Sequence, residues 1–258
     1  MKPITPLLAL TLLAALPAGF VRAQSSPAAS SPAKATTTTT TAATSAPTTA
    51  ASPAARPDIY HVHFAHAAPG KAAQLAESMK KPDPDAAMPD HRIILRHTNG
   101  DSWDFVGIQH LGPKVTLDAA RPAVPPAERD LSDWHNDTYV NGPPWAEFAK
   151  ALGIDEGAGK SAVYIVSVHR AIPGHREQLE AELSRQDPGD PAAGNVMLQH
   201  LEGSAWTFLT VSRYATWDDF VKSETSGAAD YAKGGGGWAK SREHSAHHTD
   251  TLADRLVP

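Results

Sequence analysis

Residues 60–79, YHVHFAHAAPGKAAQLAESM, align without a gap on residues 164–183, YIVSVHRAIPGHREQLEAEL; Tyr, Val, Ala-x-Pro-Gly and Gln-Leu coincide at an offset of 104. A second echo follows. The stretch HTNGDSWDF at 97–105 returns as HLEGSAWTF at 200–208, at an offset of 103, so a single-residue deletion separates the two blocks. Self-similarity at a fixed period marks a repeated supersecondary unit, and a fold assigned to one half must then serve the other. The chain reads as a tandem duplication.

Each half carries the same local signals. Tyr60, Val62 and Phe64 alternate with His61, His63 and Ala65, and Tyr164, Val166 and Val168 alternate likewise; a period of two predicts a strand. Pro-Gly then breaks the chain, and Leu75 with Met79 (Leu179 with Leu183) gives the stripe of an amphipathic helix. Second strands are predicted over 92–98 and 195–201, and third strands over 102–110 and 205–213, joined at Gly100 and Gly203. A three-residue loop at 99–101 sets His97 opposite Trp103 and Leu95 opposite Phe105, on one shared face, with His200, Trp206, Leu198 and Phe208 repeating them. That face is either a packed hairpin or the wall of a cavity. Beyond it, TWDDFVK at 216–222 aligns with PWAEFAK at 144–150, which implies a second helix and a looped insertion at about 112–142 in the first copy. A rival alignment pairs HNDTYV at 135–140 with HTDTLA at 248–253.

Residues 1–23 have the form of a secretory signal peptide: Lys2, an apolar run, then Val21-Arg22-Ala23. Residues 24–57 are Ala, Thr, Ser and Pro with almost no apolar bulk, too little to offset an ordering entropy of about 1–2 kcal/mol per residue. They read as a disordered linker. Two repeats follow, 58–160 and 161–258. The expected location is periplasmic or secreted, without membrane attachment after signal cleavage. The absence of cysteine excludes disulfides, iron–sulfur clusters and thiol nucleophiles. Beyond residue 57 stand all 28 acidic residues against 19 Lys and Arg, a net charge near −9, which argues against nucleic acid as a partner.

The strand–xPG–helix openings AAPGKAAQL and AIPGHREQL, each with its hairpin and an aromatic helix, resemble the dimeric α/β-barrel superfamily. It includes antibiotic-biosynthesis-type monooxygenases, stress-response barrel proteins and, more distantly, haem-binding chlorite dismutases. The resemblance covers most of 58–258. It implies an α+β fold of two tandem ferredoxin-like β-α-β-β-α units whose antiparallel sheets pack as an intrachain pseudo-dimeric α/β barrel. The chain is then a monomer with pseudo-dimeric repeats, or a homodimer.

The candidate chemistry is sparse. His61 and His63 share one face of a strand about 6.5–7 Å apart, a spacing that suits a metal, a cavity wall or an ordinary surface. In REHSAHHTD, His244, His247 and His248 would share a face if the segment were helical, and are weak metal candidates. A phosphate-loop imitation at 153–161 has the wrong spacing, and neither G-x-S-x-G nor H-E-x-x-H occurs. The expected function is small-molecule binding or a stress-related role, with no cofactor and a pocket walled by His61, His63, His97, Trp103, His169, His200 and Trp206. The alternatives are a cofactor-independent monooxygenase-like enzyme, and a haem- or metal-binding barrel.

Overall fold

The computed structural model describes residues 55–83, 86–113, 129–154, 161–185, 189–234 and 237–257, all within one compact unit. The expected signal peptide, the linker as far as residue 54 and residues 114–128 of the expected insertion lie outside the described residues. Among the described residues eight strands run β1 (Asp58–Ala67), β2 (Arg92–Asn99), β3 (Phe105–Pro113), β4 (Ser132–Gly142), β5 (Val163–Ala171), β6 (Gly194–Glu202), β7 (Phe208–Tyr214) and β8 (Ser245–Val257). The described helices are α1 (Ala72–Lys80), α2 (Trp145–Ala151), α3 (Arg176–Leu183), α4 (Trp217–Ala232) and α5 (Trp238–His244). No described helix is long and apolar enough to cross a membrane.

The strands close into one antiparallel barrel in the order β1-β3-β2-β8-β5-β7-β6-β4. Strands β1 to β4 occupy one side and β5 to β8 the other, and the seams are β2 against β8 and β4 against β6. Pairing sets the parity of every side chain. Tyr60, Val62 and Phe64 turn inward with Ile93, Leu95, Val106, Ile108 and Val140, and across the barrel Tyr164, Val166, Val196, Leu198, Leu209 and Val211 join the same buried cluster. The predicted helix stripe holds, since Leu75 of α1 is buried with Ala65, Ala67 and Phe105 on the outer side of the sheet and Met79 packs against them.

One mouth of the barrel is filled by α2. Its Phe148 is fully buried and stacks on Tyr60 with ring centroids 4.9 Å apart. The echoed tyrosines hold this segment from both sides: Tyr60 Oη donates to the Pro143 carbonyl at 2.6 Å and Tyr164 Oη to the Leu152 carbonyl at 2.9 Å. Arg213 Nε donates to the carbonyl of Ala151, the last residue of α2, and Arg255 Nη1 to that of Gly153 just past it. Cations at a helix C-terminus satisfy carbonyls that have no intrahelical partner and oppose the dipole.

Several expectations require correction. The span read as a looped insertion contains β4, which pairs with β1 from Asp58↔Gly142 to Ala67↔Ser132. The helix PWAEFAK therefore follows β4, whereas TWDDFVK precedes β8, and the two are not equivalent. HNDTYV and HTDTLA are: Tyr60 faces Val140 on β4, and Tyr164 faces Ala253 on β8. Each half thus contains a fourth strand, β4 in the first and β8 in the second. The hairpin register is also one residue off the expectation. Leu95 faces Val106 and Arg96 faces Phe105, while the His97 amide bonds the Asp104 carbonyl. A slip of one residue reverses faces, so Phe105 and Phe208 lie outside the barrel, while Trp103 and Trp206, which precede β3 and β7 and escape their alternation, are buried in the inner cluster. The folded body also begins before residue 58, because Arg56 forms a 2.5 Å ion pair with Glu180 and its side chain is 8% exposed.

Candidate functional site

The barrel's other end carries the β2–β3 and β6–β7 connections. Strands alternate in direction around the barrel, so β2 and β6 run the same way and their connections emerge together. Each connection crosses to the opposite half. Gly100, at φ 133°, lies against the backbone of Asp250 and Thr251, and Gly203, at φ 122°, against that of Asp137 and Thr138. The amides of Asp101 and Ser204 then donate to the hydroxyls of Thr251 and Thr138, both at 3.3 Å. The glycine in both echoes has one cause: the loop must touch the other half's last strand, where no Cβ fits.

Just inside this end stand the two His–Trp pairs. His97 meets Trp103 with ring centroids 5.7 Å apart, and His200 meets Trp206 at 5.5 Å. Both indoles are buried. His97 faces Ala253 across one seam and His200 faces Val140 across the other. The Nε2 atoms of both imidazoles are buried without a hydrogen-bond partner among the described residues. Burial, with Arg176 adding to it, lowers the pKa of His200 and favours its neutral ring. A neutral imidazole nitrogen left bare is an acceptor and a base, and left protonated it is a donor. In either state, burying it without a partner costs on the order of 1–3 kcal/mol.

The remaining candidates are not part of this inner end, because their parity is opposite. His61 and His63 alternate with the inward Tyr60, Val62 and Phe64 and lie on the outer face of β1. There His61 Nε2 is 2.7 Å, and His63 Nδ1 2.8 Å, from Asp137 Oδ1 on β4. These imidazoles hold the Asp137 carboxyl well below the usual carboxylate range. His169 is also on the outer face, buried, with Nε2 3.2 Å from Thr210 Oγ1 and its ring stacked on His248 at 6.1 Å. Burial pushes it down to about 4. The seven-residue pocket therefore divides into four inner residues and three outer ones.

The C-terminal histidines do not share a helical face. α5 ends at His244, whose Nδ1 is 3.0 Å from His175 Nδ1, and β8 begins at Ser245 so as to pair with β5. His247 and His248 are then successive strand residues on opposite faces. Asp137 and His135 were not foreseen as site residues. The HNDTYV–HTDTLA match marks the segment as repeated, and the register of β4 on β1, visible only in the structure, sets Asp137 directly opposite His63.

No protein family matches the sequence, and no curated protein matches it. Two solved structures are similar in fold. An anthrone oxidase-like protein is 16% identical with a TM-score of 0.54, covering 78% of this chain and 92% of its own. A protein of Lactobacillus acidophilus NCFM assigned as a monooxygenase is 7% identical with a TM-score of 0.49, covering 77% of this chain and 94% of its own. The architecture is thus an antiparallel α/β barrel whose fold is similar to that of the anthrone oxidase-like protein.

Proposed function

We propose that this chain binds a flat, largely apolar small molecule carrying hydroxyl or carbonyl groups, held at the inner end between His97–Trp103 and His200–Trp206. The observation that carries this is the pair of buried, unpartnered Nε2 atoms. Natural interiors rarely leave such groups unpaired, and a ligand oxygen would supply what each lacks. The flanking indoles suit an aromatic ring system through offset or edge contacts. In this reading the two halves are tandem ferredoxin-like copies, an arrangement supported by the matched registers Tyr60↔Val140 and Tyr164↔Ala253. Read with the N-terminal export signal, the ligand is a compound met outside the cytoplasm.

A bare imidazole base favours one chemical extension, in line with the name of the anthrone oxidase-like neighbour. His97 or His200 would remove a proton from the activated CH2 of a tricyclic aryl ketone. The resulting carbanion passes an electron to O2 and recombines to a peroxide. Loss of water leaves a ketone, so that CH2 and O2 become C=O and H2O.

The test uses anthrone as the probe. Anaerobic titration should quench tryptophan fluorescence saturably, and His97→Leu with His200→Leu should abolish quenching while circular dichroism is unchanged. Equal quenching by the variant would overturn the reading. In air, oxygen uptake matching anthraquinone formation one to one separates catalysis from binding alone.

A further inference from the structure

A cluster of imidazole and carboxylate groups stands on the outer face of the barrel, away from the inner end. β1 carries His61-x-His63 and its antiparallel neighbour β4 carries His135-x-Asp137. The register sets His63 directly opposite Asp137, His61 opposite Tyr139 and His135 opposite Ala65. All four polar side chains therefore leave the sheet on the same side. Donor atoms of His61, His63 and Asp137 lie within 4.8 Å of one another. His135 Nε2 is 3.5 Å from the second carboxylate oxygen, and its ring stacks on His63 at 5.7 Å. The cluster is open to solvent: the Asp137 side chain is 44% exposed and that of His135 57%.

The second half provides an internal control. β8 carries His248-x-Asp250 at the place of His135-x-Asp137, and its His248–Asp250 distance is also 3.5 Å. Opposite it, however, β5 has Ile165 and Ser167 where β1 has His61 and His63; Ser167 faces Asp250 as His63 faces Asp137. The fold accordingly requires no imidazole at these β1 positions. The histidine pair is an addition to one half only, and both rings converge on the same carboxylate oxygen.

We propose that His61, His63 and Asp137, with His135 as a fourth donor, form a binding site for a divalent first-row transition ion, Zn2+ or Cu2+. Imidazole nitrogens outnumbering a single carboxylate suit these ions rather than Mg2+ or Ca2+, which prefer oxygen. Tetrahedral coordination at about 2.0–2.2 Å from each donor separates the ligand atoms by roughly 3.3 Å. The imidazoles, now 2.7 and 2.8 Å from Asp137 Oδ1, need to part from it by about half an ångström to admit the ion. Two neighbouring strands hold the donors in place, so little ordering is required on binding.

The full chain, stripped with a chelator, would be titrated with Zn2+ against a chromophoric competitor and with Cu2+ under electron paramagnetic resonance. One tightly held ion per chain is expected, with nitrogen hyperfine structure from at least two imidazoles. His61→Phe with His63→Phe should weaken binding at least about tenfold and remove that hyperfine structure. Asp137→Asn, which retains a hydrogen-bonding oxygen, should weaken it similarly without loss of fold. His247→Ala with His248→Ala should leave both readouts unchanged. Wild-type affinity in the His61/His63 variant, or loss of binding on changing His247 and His248, overturns the assignment. Absence of binding by the stripped wild-type chain does so too.

Discussion

Gly203 approaches the Asp137 carbonyl so closely that a Cβ built on it would stand 2.4 Å from the oxygen. The matching contact, Gly100 to the Asp250 carbonyl, would be 2.6 Å. Both lie at seams between halves, where neither the loop nor the strand beneath can retreat without unpairing. Gly203→Ala should cost more than about 2 kcal/mol in urea unfolding, combining positive-φ strain with displaced backbone. Gly70, also at positive φ but with nothing within 4 Å of a built Cβ, is the comparison: its alanine variant should lose only about 1–2 kcal/mol. Equal losses would mean that the close approach contributes nothing.

Removing an unpartnered imidazole should stabilise the free protein. His200→Leu replaces a buried nitrogen lacking a partner with carbon of similar bulk, and the urea midpoint at pH 8 should rise by the equivalent of roughly 0.5–2 kcal/mol. Probe binding should be lost in the same variant. A fall in stability with binding intact would instead make His200 a packing residue.

His169 sets part of the acid limit. Burial is the largest cause of its lowered pKa, with His248 adding to it and Asp250 opposing it. The unfolded chain protonates this ring near pH 6.5, and the folded chain only near 4. Between those values the unfolded state holds more protons, so stability rises with pH and falls on acidification. The loss begins near 6.5 and levels off below 4 at about 3 kcal/mol, taking ~1.4 kcal/mol per tenfold change. His169→Gln should flatten this limb: its urea midpoint should change less between pH 7 and pH 4.5 than that of the parent chain.

The mouth filled by α2 should tolerate little. Phe148→Ala leaves a void beneath Tyr60 and is expected to cost about 3–5 kcal/mol. Tyr164→Phe removes one buried hydrogen bond and strands the Leu152 carbonyl, for about 1–2 kcal/mol. Denaturant unfolding of both variants checks the order; a smaller loss for Phe148→Ala would show that the helix is not part of the core.

Much of the barrel is legible in the echoes. Tyr60 and Tyr164, Leu75 and Leu179, and His97 and His200 occupy the elements that periodicity assigns to them, whereas Trp103 and Trp206 stand just before β3 and β7 rather than within them. β4 is not legible, because its Asp, Asn and Trp content resembles a loop and the PWAEFAK helix suggests a different alignment. Parity was present in the sequence: His61 and His63 alternate with an apolar face and had to leave on the other side. Asp137 could not be found that way, since which strand lies beside β1 is decided by barrel closure rather than by any local pattern. The hairpin register failed for a similar reason. The loop is shaped by Thr138 and Thr251 of the opposite half, which no local turn rule contains.

Because both seams, β2 with β8 and β4 with β6, close within a single polypeptide, assembly of the barrel does not depend on concentration. A ring built by two identical subunits must write every substitution twice. Here the two sides are free to differ, as His61 and His63 of β1 do from the isoleucine and serine at the matching places of β5.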